Sequence, residues 1–170
     1  MAVGSLPPPD PAAGGIQGSH DGAGLQLAVV TARWNEHLTS RLLAGARRAY
    51  EHCNVAPEAV TEVWAPGAFE LPLVCQQLAA SQSFDAVIAI GVVVRGETTH
   101  YEIVSEAAAV GIREAAASSG VPVIFGVLTT ENEAQVMARA GDGDTNKGFE
   151  AVVTAVEMAT LLKKLAVAAD

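Results

Sequence analysis

Four times along this chain, a short run of aliphatic residues passes into a longer stretch whose apolar residues recur at helical spacing. The pairs are Leu25 to Arg33 then His37 to Cys53, Ala59 to Trp64 then Phe69 to Ser81, Asp85 to Val94 then Thr99 to Ser118, and Pro122 to Leu128 then Glu133 to Ala140. Strands that alternate with helices pair in parallel, because each helix carries the chain back across the sheet. A final amphipathic stretch, Lys147 to Ala166, places Phe149, Val152, Val156 and Ala159 on one face. Parallel sheets need cover on both faces and their crossovers are right-handed, so the expected fold is α/β: a three-layer α/β/α sandwich, flavodoxin-like, with a four-stranded parallel sheet.

The 170 residues suffice for one buried core and fall short of two ordinary domains. Residues 1–24 carry many Pro and Gly and no periodicity, so they are expected to form a flexible N-terminal arm, leaving 25–170 as the single folded domain. The start of the chain has no cationic stretch leading into an apolar one, and no apolar span approaches ~20 residues, which gives the expectation of a cytoplasmic protein without membrane association. A formal net charge of -9 disfavours a nucleic-acid partner and anionic lipid alike. Any anionic substrate then needs a local cationic or amide-lined site. Cys53 and Cys75 have neither CxxC spacing nor a His partner nearby in sequence, so both read as buried free thiols, with no metal site or disulfide indicated.

Ligands of such sheets collect at the carboxyl ends of the strands. The run Val92-Val93-Val94-Arg95-Gly96-Glu97-Thr98-Thr99-His100-Tyr101-Glu102 passes from a buried strand through a glycine into a helix start. Thr99 and Glu102 have capping-box spacing. Free amides at a helix N-terminus favour an anion, and Gly96 lets a phosphate approach, with Glu97 and Thr98 offering backbone amides and Thr98 a hydroxyl. The same stretch is also compatible with an ordinary capped loop. His100 in that first turn is suited to proton transfer near neutrality, or is simply an exposed helix-start histidine.

Pro66-Gly67-Ala68-Phe69-Glu70-Leu71-Pro72 is a second strand-to-helix passage. It can present a ring wall and a carboxylate to a polyol or heterocycle, or bury Phe69 in the core and leave Glu70 as a first-turn dipole partner. Trp34, beside Asn35, either stacks on a planar ring or packs inside. Arg139 is expected to end the fourth helix and Lys147 to open the fifth; each is a phosphate-binding candidate or a solvated surface charge.

Taken together and in order, Trp34-Asn35, Gly67-Ala68-Phe69-Glu70-Leu71-Pro72, Val94 to Glu102, Phe125-Gly126-Val127-Leu128-Thr129-Thr130-Glu131-Asn132, Arg139-Ala140-Gly141 and Asn146-Lys147-Gly148 resemble the lumazine synthase family over nearly everything after Leu25. The resemblance implies condensation of 5-amino-6-(D-ribitylamino)uracil with 3,4-dihydroxy-2-butanone 4-phosphate to 6,7-dimethyl-8-ribityllumazine, without metal or redox cofactor. It implies that Trp34, Ala68, Phe69, Glu70, the backbone of Val92, Val93 and Val94, and Phe125 hold the uracil and its ribityl chain, with Asn35 beside them. Gly96, Glu97, Thr98 and Arg139 would hold the phosphate, Lys147 would be secondary, and His100 would move the proton. Glu97 stands where many relatives carry a small or neutral residue, so only its backbone carries over. In the family Phe125 and Arg139 come from a neighbouring subunit.

The resemblance further implies a homopentamer with shared active sites, and association with riboflavin synthase. The short, glycine-bearing connection from Arg139 to Lys147 resembles that of relatives forming icosahedral shells of twelve pentamers. Two other classes of protein fit the bare fold. A flavin- or nucleotide-binding module would need a glycine cradle after the first strand, which TARWNEHLTS does not supply. A shell protein that had lost catalysis would be expected to lack His100, Arg139 or the Phe69-Glu70 pair, and all are present.

Overall fold

The computed structural model describes residues 6–168. Its strands are β1 (Leu27–Ala32), β2 (Val60–Ala65), β3 (Ala86–Val94) and β4 (Val123–Thr130). They alternate with helices α1 (Glu36–His52), α2 (Leu71–Ala80), α3 (His100–Ser119), α4 (Glu133–Met137) and α5 (Lys147–Ala168). All strand pairs are parallel, in the order β2-β1-β3-β4. The expected four-stranded sheet is therefore present, with element limits within two residues of the sequence reading for most elements.

Burial follows strand position. β1 is buried along its whole length and β3 along all but its last residue, because helices cover both faces of the two central strands. The edge strands β2 and β4 are only partly buried, and polar residues such as Thr61 and Glu62 sit exposed on β2. One core lies between the sheet and α1 with α5, where Leu27, Val29, Ile88 and Ile90 meet Leu38, Leu42, Val152 and Val156. The other lies under α2 and α3, where Val30, Val87, Ala89 and Val127 meet Leu71, Cys75 and Ile112. The two cores are the two outer seams of a three-layer sandwich.

Both cysteines are free and buried. Desolvation pushes the Cys53 thiol up to about 11 and the Cys75 thiol up to about 12, so neither supplies a thiolate near neutrality.

Three expectations need correction. Packing begins before Gly24: Gly18 and Gly22 are buried, the Ser19 amide donates to Thr160 Oγ1 at 2.8 Å, and the Gly22 amide donates to the Cys53 carbonyl at 2.6 Å. Glycines let this segment lie flat on α5, since a Cβ at Gly18 would stand 2.2 Å from the Glu157 carbonyl oxygen. The part of the arm at residues 1–5 lies outside the described residues. Helix α4 ends at Met137 rather than Ala140, and Arg139 follows it, because the Arg139 carbonyl accepts from the Lys147 amide at 2.8 Å and so closes the intervening loop. The capping box is also absent. Thr99 makes no side-chain cap, while Thr98 Oγ1 accepts a long bond from the His100 amide at 3.4 Å. Glu102 pairs instead with Arg95, since a guanidinium outcompetes a neutral amide for a carboxylate.

The α1–α5 seam depends on one buried polar residue. Asn146 Oδ1 accepts from the Gly148 amide at 2.8 Å and the Phe149 amide at 3.3 Å, capping α5. Its Nδ2 donates to the carbonyls of Gly141 at 2.8 Å and Arg41 at 3.1 Å, fixing the loop and α1 to the same point. Asn146→Ala orphans these groups in a dry site and is expected to cost about 2–3 kcal/mol, read from urea unfolding at constant m value. A loss below about 0.5 kcal/mol would contradict this account of the cap.

Candidate active site

The sheet order reverses between β1 and β3: β1 connects outward to β2 and β3 connects outward to β4. Loops leaving the two central strands therefore part, and a crevice opens at their carboxyl ends. A cavity of about 540 Å³ occupies this place, large enough for a small heterocycle with a polar chain.

The loop after β1 forms one wall. The Trp34 amide donates to the Pro66 carbonyl at 2.9 Å, extending the β1–β2 ladder past the strand proper. Asn35 adopts a left-handed conformation at φ 62°, which Asn tolerates well, and starts α1. Its Nδ2 donates to the Val92 carbonyl at 3.1 Å, bridging the crevice floor to β3. Between these anchors the Trp34 side chain is 75% exposed, so it is presented at the cavity rather than packed inside.

The neighbouring loop after β2 adds to the lining. Phe69 is 55% exposed and Glu70 is exposed just ahead of α2, so the core-packing alternative for Phe69 does not hold. Ala68 is buried beneath them. A Cβ at Gly67 would stand 3.0 Å from Glu70 Oε2, so the absence of a side chain there leaves room for the carboxylate to turn over the loop.

Val92, Val93 and Val94 form the floor, and Gly96, Thr98 and His100 form a further wall, where β3 gives way to α3. Nothing lies within 4 Å of a Cβ built on Gly96, so that position borders open space. His100 is exposed at the first position of α3. The other histidines engage groups outside the cavity: His20 with Glu157, His37 with Glu133, and His52 against the Phe149 ring.

Within one chain, Phe125 and Lys147 do not share this cavity. They line a separate groove of about 410 Å³ along edge strand β4, where Phe125 is 43% exposed and Lys147 pairs with Glu150 at 2.5 Å. Arg139 is half-buried and donates to the Gln135 carbonyl at 2.9 Å. Glu97 is exposed and does not line the cavity. Among the described residues, no group of three or more His, Cys, Asp or Glu side chains is placed to hold a metal ion.

Sequence reasoning missed part of the wall. Ile103 and Val104 line the cavity three and four residues after His100, so the helical repeat would have put them on the same face. It also gave Arg95 no role. In the structure Arg95 binds both Glu102 and Glu131 and lies 4.1 Å from the centre of the Tyr101 ring. The hydrogen bond from Arg95 holds the Glu102 carboxyl below the usual carboxylate range.

Comparison with known proteins now adds to this geometry. Residues 24–163 match the family profile described as 6,7-dimethyl-8-ribityllumazine synthase. A protein of Thermococcus kodakarensis named 6,7-dimethyl-8-ribityllumazine synthase is 49% identical over 150 residues, covering 88% of this chain and 94% of that relative.

Proposed function

Because this chain belongs to the 6,7-dimethyl-8-ribityllumazine synthase family, we propose that the crevice between β1 and β3 is its catalytic pocket, in which each wall has a separate task. The enzyme condenses 5-amino-6-(D-ribitylamino)uracil with 3,4-dihydroxy-2-butanone 4-phosphate, giving 6,7-dimethyl-8-ribityllumazine, phosphate and water, in the penultimate step of riboflavin biosynthesis.

The observation that carries the site assignment is the convergence of an exposed indole, a phenyl ring, a carboxylate and a helix-start histidine on one cavity. Trp34 stacks on the pyrimidine, Phe69 adds an apolar wall, and Glu70 binds ribityl hydroxyls. The ends of β3 give Val92 to Val94 backbone groups to the heterocycle edge, and Asn35 holds that strand end in place. Gly96, Glu97 and Thr98 turn amides toward the phosphate of the second substrate.

The substrate's own 5-amino group attacks the ketone and water leaves, forming an imine. Phosphate is then eliminated, and the second amine condenses with the carbonyl so generated, closing the ring with loss of a second water. The nucleophile comes with the substrate, so the protein supplies orientation, anion binding and a proton carrier, His100. The buried thiols have no part in it.

The second groove is the other half of the same site. Phe125 and Arg139 lie away from the cavity of their own chain, and in this proposal they complete the cavity of a neighbour, with Lys147 nearby. A homopentamer is then the smallest active unit. The short loop between Arg139 and Lys147 favours further assembly into a shell of twelve pentamers. Association with riboflavin synthase, which consumes the product, and a cytoplasmic setting belong to the same proposal. No helix among the described residues is long and apolar enough to cross a membrane.

Purified protein mixed with both substrates is expected to release phosphate in step with the rise of lumazine absorbance. In the same assay His100→Ala should lower kcat by about ten- to a hundredfold without abolishing turnover, since orientation survives the loss of the proton carrier. A folded oligomer giving neither signal would contradict the function, and a dead His100→Ala enzyme with intact substrate binding would contradict its role. Native mass measurement at micromolar protein is expected to find the sixty-chain shell; five chains would exclude the shell, and one chain would exclude shared sites.

A further inference from the structure

The turn proposed to hold phosphate has little internal support. Between the end of β3 at Val94 and the start of α3 at His100, its local bonds are the 3.4 Å contact from the His100 amide to Thr98 Oγ1 and a 3.3 Å bond from the Ile103 amide to the Thr99 carbonyl. Both are long. Gly96 adds conformational freedom at the centre of the sequence that must be held still. An anion site made of backbone amides works only when those amides are fixed in advance, so something outside the turn has to fix it.

Arg95 lies where that support is needed. Its amide donates to the Thr130 carbonyl at 2.9 Å, carrying the β3–β4 ladder one residue beyond the strand. Its Nε forms a salt bridge with Glu131 Oε2 at 2.7 Å, just past the end of β4. Its terminal nitrogen donates to Glu102 Oε1 in the first turn of α3. The guanidinium also lies 4.1 Å from the centre of the Tyr101 ring, and Tyr101 is itself part of the cavity wall. One side chain thus joins the strand before the turn, the strand end beside it and the helix after it. Glu131 is held in turn, since its amide donates to Gln135 Oε1 at 3.1 Å.

We infer that Arg95 is a positioning residue for the phosphate-bearing substrate: it sets the amide turn at residues 96–98 by tying the first turn of α3 to the end of β4, and it does not itself grip the phosphate. Its charge is already shared between two carboxylates, which leaves the guanidinium poorly suited to serve as an anion receptor. The clamp has a second effect. Glu97 lies in the turn and Glu102 and Glu131 flank it, and the one arginine pairs with the latter two, offsetting one of their two negative charges. A lysine cannot reproduce the clamp, because a single ammonium lacks the planar fork that meets two carboxylates while lying over a ring.

The inference rests on the reading of this turn as the phosphate site, and steady-state kinetics on the assembled enzyme separates the two. Both substrates are varied for the wild type, Arg95→Met, Arg95→Lys and Glu131→Gln, with inorganic phosphate as an inhibitor. Arg95→Met is expected to raise the KM for the keto-phosphate and the inhibition constant of phosphate by about tenfold or more, while the KM for the ribitylaminouracil moves less than about twofold. Arg95→Lys should fall between wild type and Arg95→Met. Glu131→Gln should also weaken phosphate, by about twofold or more, because it loosens the clamp. Should Arg95→Met fail to assemble, the Lys and Gln variants carry the same test.

An unchanged keto-phosphate KM, or both KM values rising together, would overturn the inference. So would tighter phosphate binding in Glu131→Gln, which would mark the cluster as a charge shield rather than a brace. A wild-type enzyme that turns over but is indifferent to inorganic phosphate would instead overturn the reading of the turn, and this inference would fall with it.

Discussion

Everything at this site depends on the parting of the chain at the β1/β3 boundary. Two central strands point the same way, and their connections leave in opposite directions, so their carboxyl ends cannot be covered by either crossover. The bond from Asn35 Nδ2 to the Val92 carbonyl spans that gap and sets its floor. From it the lining follows: Trp34 with Phe69 and Glu70 from the neighbouring loops after β1 and β2, and the start of α3 from the β3 side. The crevice is placed by topology first and lined by side chains second.

The same geometry explains why a large, partly apolar surface remains on a single chain. Trp34, Phe69, Ile103 and Phe125 are exposed, at positions where burial would be favourable. Two grooves lie open to solvent, one at the strand ends and one along edge strand β4. The shared site proposed above would account for both at once: it would give the aromatic residues a partner and bring Arg139 as a cation to a phosphate that the acidic chain, with its formal net charge of -9, otherwise has few means to attract.

Much of this was legible in the sequence because strand and helix periods differ. The buried runs of β1 and β3, and the helical spacing of Leu38, Leu42, Ala46 and Ala49, located the sheet and its loops. The resemblance then grouped residues that are far apart in the chain, and the structure brings Trp34, Asn35, Ala68, Phe69, Glu70, Val92 to Val94, Gly96, Thr98 and His100 to one cavity. What escaped was governed by choices among polar partners. Capping-box spacing could not show that Glu102 prefers Arg95, since Arg95 approaches it only once β3 and α3 are folded together. The Asn146 cap was hidden for the same reason, as two of its four bonds reach Arg41 and Gly141 rather than the helix it starts. Glycine content suggested a free arm, yet at Gly18 and Gly22 it serves close packing against α5 and the end of α1.

The central claim is that a strand-end crevice on one chain works with residues from the edge of another. Complementation between two damaged chains tests it most directly. One chain carries Phe69→Ala with His100→Ala, the other carries Arg139→Ala, and the two are refolded together and assayed against each refolded alone. A shared site requires that some mixed interfaces pair an intact crevice with an intact arginine, so the mixture should be clearly more active than the sum of its parts. A co-assembled mixture with no more activity than that sum would contradict the account.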